Sequence, residues 1–350
     1  MHRLTLCLIA RDEESMLEAC LASVRGLVDA IVLVDTGSTD RTVAIARAHG
    51  AVIVARPWDD DFAAARNAAL PHVAGGFVLS LDADERLAPG AHDAIRAALA
   101  RDDLDCGLLP LHDAATLEAT AADVLSGRAR RGEPVLLPRL LRRTPDLAWE
   151  GIVHEQVAGW ARRHPRIAAV DAPIVHYGAV PSLREARAKN ERNLRLLERR
   201  CARDPDDAAA RAYLARELER AGDTAGALRQ AEAAFSAVSA RAAVGHLADD
   251  AVFPATLLAF LHIRAGEPAR ALDVLARARG LAAPHPNLHL LEGWAREHLA
   301  IAALCEPGAT APGGAASPVI AAHLAAGRAA LEACLALDGR ASVAESLPGE

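Results

Sequence analysis

The stretch FVLSLDADER, residues 77–86, sets Asp82, Asp84 and Glu85 directly behind an apolar run. Side chains two apart at a strand end fall on one face, so Asp82 and Asp84 can address one cation. Mg2+ ordinarily takes one or two protein carboxylates and fills its shell with water and phosphate oxygens. A D-x-D pair behind a buried strand therefore suits a cation–diphosphate site, whereas an isolated pair serves equally well as a solvated acidic turn. Asp35, in LVDTGSTD, ends a second apolar run beside a Gly-Ser-Thr turn, where a carboxylate can accept hydrogen bonds from a ribose or a base. Ser38 or Asp40 can cap the helix that follows, which leaves Asp35 uncommitted. Arg66, in WDDDFAAARNAAL, offers the paired guanidinium donors that clamp a phosphate. Its alternative is a surface partner for the acids Asp59 to Asp61.

The elements that must position these side chains alternate strand and helix. LTLCLIA (4–10) is a continuous apolar run, as a strand buried on both faces requires. AIVLVD, AVIVA and FVLSL read as three more strands, and Leu17, Cys20, Leu21 and Val24 keep helical spacing between the first two. Residues 62–70 suit a helix. Strands separated by crossover helices make a mostly parallel, doubly wound α/β sheet. Ligands bind such sheets beyond the carboxyl ends of the strands, where Asp35 and Asp82 both stand. Residues 101–180 are irregular, with short apolar runs such as CGLLPL and VLLPRLL, and read as completing the sheet around a second substrate.

From about residue 185 the pattern is helical and repeats. Leu214, Ala215, Leu218, Gly222, Ala227 and Ala234 mark one unit, and all but Leu218 find counterparts 44 residues on in Leu258, Ala259, Gly266, Ala271 and Ala278. These are the small and large positions of the tetratricopeptide helical hairpin, whose usual period of about 34 implies an insertion of roughly ten residues. A third hairpin is expected from Asn287 to about Leu337, interrupted by the Gly/Pro/Ala-rich loop EPGATAPGGAAS, which is expected to be mobile. The expected domains are 1–183 and 184–350.

In combination and in this order, VDTGSTD, FAAARNAAL and LSLDADE resemble the family 2 glycosyltransferases of the GT-A fold. LCLIARDEE resembles their first strand. WEGIVHEQV and IVHYG resemble a branch with tetratricopeptide repeats behind the transferase domain, which includes lipopolysaccharide-core and sublancin-type peptide S-glycosyltransferases. The resemblance implies that Asp35 holds the base of a nucleotide-diphosphate sugar, most readily a UDP-sugar. Arg66 would lie near base and diphosphate, and Arg11, in the RDEE string, is grouped with these donor-binding residues. Asp82 would contact ribose or the metal's water shell, and Asp84 would ligate Mg2+ or Mn2+, with His176 as a further ligand. Inverting transfer by a single displacement needs a base for the acceptor and charge to stabilise the leaving diphosphate. The base candidates are Glu150, His154 and Glu155, with the two glutamates favoured and His154 otherwise orienting the acceptor or touching the diphosphate. If that stretch is extended, Glu150 and His154 share one face and Glu155 takes the other. Thr36 and Asp12 depart from the family pattern and bear on the identity of the base. Glu85 is expected to hold the loop rather than the metal.

Other classes fit less well. A glycoside hydrolase must place two carboxylates on opposite sides of a sugar bond, which neighbours on one strand end do not achieve. A nucleotidyltransferase would carry a Gly-rich basic loop after the first strand, and IARDEES is not one. An inactive transferase fold that binds peptide or protein partners through its repeats is the remaining alternative. The net charge of −7 gives no global attraction to nucleic acid, although six arginines between Arg128 and Arg143 could meet lipid phosphates or another anionic acceptor. Six scattered cysteines without a CxxC pair read as reduced thiols in a cytoplasmic protein. No membrane-spanning stretch is expected, which leaves peripheral membrane contact open. The acceptor is a saccharide, a lipid-linked sugar or a peptide. The repeats suit an acceptor, a membrane assembly or a second copy in a homodimer.

Overall fold

A computed structural model describes residues 3–186, 189–243, 251–282, 284–305 and 318–337. Strand β1 (Leu4–Ala10) is buried along nearly its whole length, because both of its faces are covered. Its even positions Leu4, Leu6 and Leu8 join Leu33, Phe77 and Leu79 in one apolar cluster, with Leu17, Cys20 and Leu21 of α1 (Leu17–Ser23). Cys7, with Val32, Val34 and Val78, faces the other way, toward Ala63, Leu70 and Trp160. The first layer thus follows from period-2 alternation of side chains that are apolar on both sides.

Strand β2 (Ala30–Asp35) is followed by α2 (Thr42–Ala48), β3 (Val52–Ala55), α3 (Phe62–Asn67) and β4 (Phe77–Ser80). β1 pairs in parallel with both β2 and β4, and β2 with β3. The carboxyl ends of these four strands therefore lie along one edge. Strand β5 (Glu85–Leu87) and helix α4 (Ala91–Leu99) come next. Ala91, Ile95 and Leu99 of α4 cover the face that Leu4 and Phe77 present.

The segment that looked irregular completes the sheet. β6 (Cys106–Ala114), α5 (Ala121–Leu125) and β7 (Arg130–Arg142) form an antiparallel arm, and β7 pairs antiparallel with β4. After α6 (Ala158–Arg163) come β8 (Ile167–Ala169) and β9 (Ile174–His176). β9 runs parallel to β6 and antiparallel to β5. The order is β3-β2-β1-β4-β7-β6-β9-β5, with β8 beside β6, and five of the eight pairings are parallel.

Helices α7 (Pro181–Ala186) and α8 (Lys189–Arg203) follow. The chain divides into two units, Met1–Arg192 and Asn193–Glu350, against an expected boundary after residue 183. In the second unit α9 (Ala208–Arg220) and α10 (Thr224–Ala243) form one hairpin, and α11 (Val252–Arg264) and α12 (Pro268–Arg279) the next. The 44-residue correspondence is structural: Gly222 and Gly266 turn with φ of 86° and 75°, and Ala215, Ala227, Ala234, Ala259, Ala271 and Ala278 are all fully buried. Part of the insertion is helical, since α10 has 20 residues and α12 has 12.

The third hairpin is α13 (Pro286–Leu304) with α14 (Pro318–Ala336), and the EPGATAPGGAAS loop lies outside the described residues. Contrary to the expectation of no such stretch, α14 is long and apolar enough to cross a membrane. Its apolarity comes largely from alanine. Its Ile320, Gly327, Ala330 and Cys334 are buried, and Gly327 lies against Arg296 of α13.

Candidate active site

Three strand ends set the frame. In the β1–β2 register Ala10 stands opposite Asp35, so Arg11 and Asp35 emerge at the same edge, and Asp82 follows β4 there. Asp35 Oδ1 accepts the Ser38 N–H at 3.1 Å, closing a turn. Asp12, at φ 53°, accepts the backbone and hydroxyl hydrogens of Thr39 and ties the loop after β1 to the loop after β2. Asp40 accepts the Thr42 N–H at the start of α2. Arg11 is exposed, with Asp12 3.8 Å away.

Arg66 is not a partner of the nearby acids. Asp59 pairs with Arg56, Asp61 caps α3 through the Ala64 N–H, and Asp60 accepts from Trp58. The Arg66 guanidinium reaches inward, with Nε 2.6 Å from Glu155 Oε1 and Nη2 2.8 Å from Asp82 Oδ1. It also donates to the Ser80 hydroxyl at 3.3 Å. Burial disfavours its charge, but the Asp82 and Glu155 carboxylates outweigh that cost and raise its pKa further.

Arg139, one of the six arginines of the basic stretch, is not marked by the sequence as a residue of this site, and its position is a consequence of register. β7 runs antiparallel to β4 with Arg142 opposite Phe77 and Leu140 opposite Leu79, so stepping back to Arg139 moves toward the carboxyl end of β4. There it pairs with Glu85 and lies 3.8 Å from Asp82. Glu85 accepts the Asp82 N–H at 3.0 Å and is 1% exposed, so it holds the loop from within. Burial pushes the Glu85 carboxyl up, while Arg66 and Arg139 hold that of Asp82 well below the usual range. Most of the arginine-rich stretch is taken up in individual contacts. Arg142 pairs with Asp105, Arg128 with Asp123, Arg130 with Glu133, and Arg143 binds backbone oxygens of Leu70 and Thr144.

A second register builds the other half. His176 is opposite Glu85 across β5–β9 and beside Asp113 across β6–β9. Its Nδ1 is 2.6 Å from Asp113 Oδ1, and its Nε2 is 3.7 Å from Asp84 Oδ1. Asp84 is 5% exposed. Burial opposes protonation of His176, yet the hydrogen bond to Asp113 and the charges of Asp84 and Glu85 raise its pKa. A Cβ at Gly178 would lie 2.2 Å from Asp84 Oδ2 and 2.5 Å from His176 Nε2. Only glycine fits there without displacing them.

These atoms bear on the expected metal. Among the described residues no three acids, histidines or cysteines gather around one point, so the expected trio of Asp82, Asp84 and His176 is not assembled. The reason is that Asp82 is turned to Arg66 and Arg139. Asp84 and His176 fit as a pair: ligands each about 2 Å from one ion stand about 3–4 Å apart. They are too far apart to hydrogen-bond to each other.

The base candidates also separate. WEGIVHEQ is not extended: Glu150 and Gln156 exchange backbone hydrogen bonds of 2.8 and 3.0 Å, and His154 has φ 50°. Alternation along a strand therefore does not govern it. Asn67 anchors this loop, accepting the Trp149 N–H and donating to its carbonyl. Glu155 reaches Arg66, whereas exposed Glu150 lies against Gly159 of α6. The His154 ring is partly buried in the same loop.

Residues 5–149 match the model of the glycosyl transferase family 2 domain. The first unit carries a glycosyl transferase family 2 domain, and the helical unit behind it is tetratricopeptide-like. A TPR repeat-containing protein of Synechococcus elongatus is 36% identical over 238 residues, covering 65% of this chain and 55% of that protein. The SPbeta prophage-derived glycosyltransferase SunS of Bacillus subtilis is 24% identical over 220 residues, 61% of this chain and 49% of its own length. The chain thus spans about half the length of these curated relatives. S. aureus TarS 1–349 in complex with UDP-GlcNAc aligns over 81% of this chain and 93% of its own, at 15% identity and a TM-score of 0.46.

Proposed function

We propose that the protein is an inverting glycosyltransferase that moves a sugar from a nucleotide-diphosphate sugar, a UDP-sugar first among them, to an acceptor hydroxyl or thiol. The observation that carries this reading is one strand edge holding two differently built halves. One is the Asp84–His176 pair across 3.7 Å, and the other is the Arg66–Asp82–Glu155 chain of 2.8 and 2.6 Å contacts. Asp35 receives the base, and Arg66 and Arg139 supply paired donors for the diphosphate. Asp82 orients both arginines. Asp84 and His176 are the residues that would hold a divalent cation, and their single nitrogen donor favours Mn2+ over Mg2+. Such a cation, when bound, supplies positive charge to the departing diphosphate.

Glu155 takes the acceptor proton. Its Oε1 is tied to Arg66, and a diphosphate competing for that guanidinium frees the carboxylate for proton transfer. His154 borders the acceptor side of the same loop. The acceptor is a saccharide, a lipid-linked sugar or a peptide, and the helical unit is its holder or the contact to a second copy. Nucleotide sugars and free thiols agree with a cytoplasmic setting, which is part of this proposal.

A thermal melt tests the reading. UDP or GDP with Mn2+ raises Tm, and Asp84→Ala abolishes the rise. No shift with any nucleoside diphosphate would favour an inactive scaffold that binds partners through its repeats. A donor screen by nucleotide-sugar hydrolysis then names the sugar.

A further inference from the structure

Asp113 belongs to none of the motifs above. We propose that it is a positioning residue that fixes His176 in the tautomer whose Nε2 lone pair faces the cation site beside Asp84. This rests on the cation-binding part of the function proposed above.

The argument starts from register. β6 pairs in parallel with β9 and sets Asp113 directly beside His176. Their contact, Nδ1 to Oδ1, is 2.6 Å, the short length of a charge-assisted hydrogen bond. An ionised carboxylate only accepts, so Nδ1 carries the hydrogen. In a neutral ring the second nitrogen then holds a lone pair and no hydrogen. That nitrogen is Nε2, 3.7 Å from Asp84 Oδ1.

Two further facts agree. Residue 178 has no side chain to press on Nε2, since a Cβ there would come within 2.5 Å of it. Among the described residues the Asp113 side chain hydrogen-bonds to nothing but His176. A carboxylate behind a ligating histidine sets ring orientation and raises the basicity of the ligating nitrogen. Without Asp113, a neutral imidazole prefers its proton on Nε2, where it would face the ion.

Two measurements on the full chain test this. In protein labelled with 15N at histidine, at an alkaline pH where the nitrogen shifts show the ring to be neutral, the wild-type His176 spectrum shows Nδ1 protonated. Asp113→Ala moves the proton toward Nε2. Mn2+ binding followed by electron paramagnetic resonance in the presence of UDP weakens about 10- to 100-fold in Asp113→Ala. Asp113→Asn, which keeps side-chain volume and an acceptor oxygen, retains the tautomer and recovers part of the affinity. An unchanged tautomer, or unchanged Mn2+ affinity in Asp113→Ala beside a clear loss in Asp84→Ala, overturns the assignment and leaves the proposed function standing. Wild-type protein that binds no Mn2+ with UDP overturns the cation reading and this inference with it.

Discussion

Asp84 and His176 approach within 3.7 Å because residue 178 has no side chain to fill the space between them. A methyl there would lie 2.2 Å from one candidate ligand atom and 2.5 Å from the other. Gly178→Ala should therefore lose at least about tenfold in Mn2+ affinity, the scale of lost support around a metal site. The metal-free protein should also melt lower, because the methyl displaces buried side chains, so Mn2+ affinity is compared on folded protein well below its melt. Arg66 answers to different physics. Its fork bonds Asp82, Glu155 and Ser80 at once, which a single ammonium cannot reproduce. Arg66→Lys should cost about 100-fold in kcat/KM for sugar transfer, the scale of a lost charge-directed donor. Near-normal turnover in that variant would remove Arg66 from the diphosphate site.

Elements deliver these side chains, and two joints do most of the positioning. α3 carries Arg66, and Asn67 beside it makes reciprocal 2.8 and 2.9 Å bonds with Trp149, which docks the loop bearing Glu155. Asn67→Ala leaves an N–H and a carbonyl unpaired, a cost of about 1–3 kcal/mol. Turnover should fall further than Tm alone explains, as read by comparing kcat at a temperature well below the melt. The second joint is Asp105, 2% exposed, which takes a two-point bond from Arg166 at 2.8 and 2.6 Å and fastens β6 to the start of β8. Hydrogen bonding from Arg166 outweighs burial and holds the Asp105 carboxyl below the usual carboxylate range. Its folded pKa is depressed, so its contribution is present above the unfolded value and fades as pH falls through the folded one. Asp105→Asn should flatten the acid limb of a Tm-against-pH curve below about pH 4. An unchanged acid limb would show that the contact contributes nothing to stability.

At the scale of the molecule, the two units have separate apolar cores, one built on the sheet and one on alanine-rich hairpins. Binding of a nucleoside diphosphate with Mn2+ should slow amide exchange at the carboxyl edge of the sheet, in residues 11–12, 35–38, 82–85 and 149–156. Slowing confined to the second unit would contradict the assignment of the donor site. The helical unit also shows how pattern and packing differ. The 44-residue spacing is visible in sequence because each hairpin reuses the same buried small residues. The apolarity of α14 is visible only as composition, and its hairpin with α13 determines which face is covered: Leu324 and Leu335 remain exposed, and Ile320 and Ala330 do not.

The chain by itself determined the elements and the candidates. Continuous apolar runs marked the parallel strands, and Asp35, Arg66, Asp82 and Asp84 stood out because they follow or border such runs. What the acids do was a tertiary matter. Asp82 and Asp84 look alike as a D-x-D pair, yet Asp82 faces Arg66 and Arg139 while Asp84 faces His176. Arg139 and Asp113 had no local signal, because their positions come from the pairing of β7 with β4 and of β6 with β9. Whether WEGIVHEQ is extended is open in the sequence; the Glu150–Gln156 backbone pairing closes it into a loop and leaves Glu155, not Glu150, at the arginine. Local patterns record which side chains are buried. Cross-strand register, set by residues far apart in the chain, decides which of them meet.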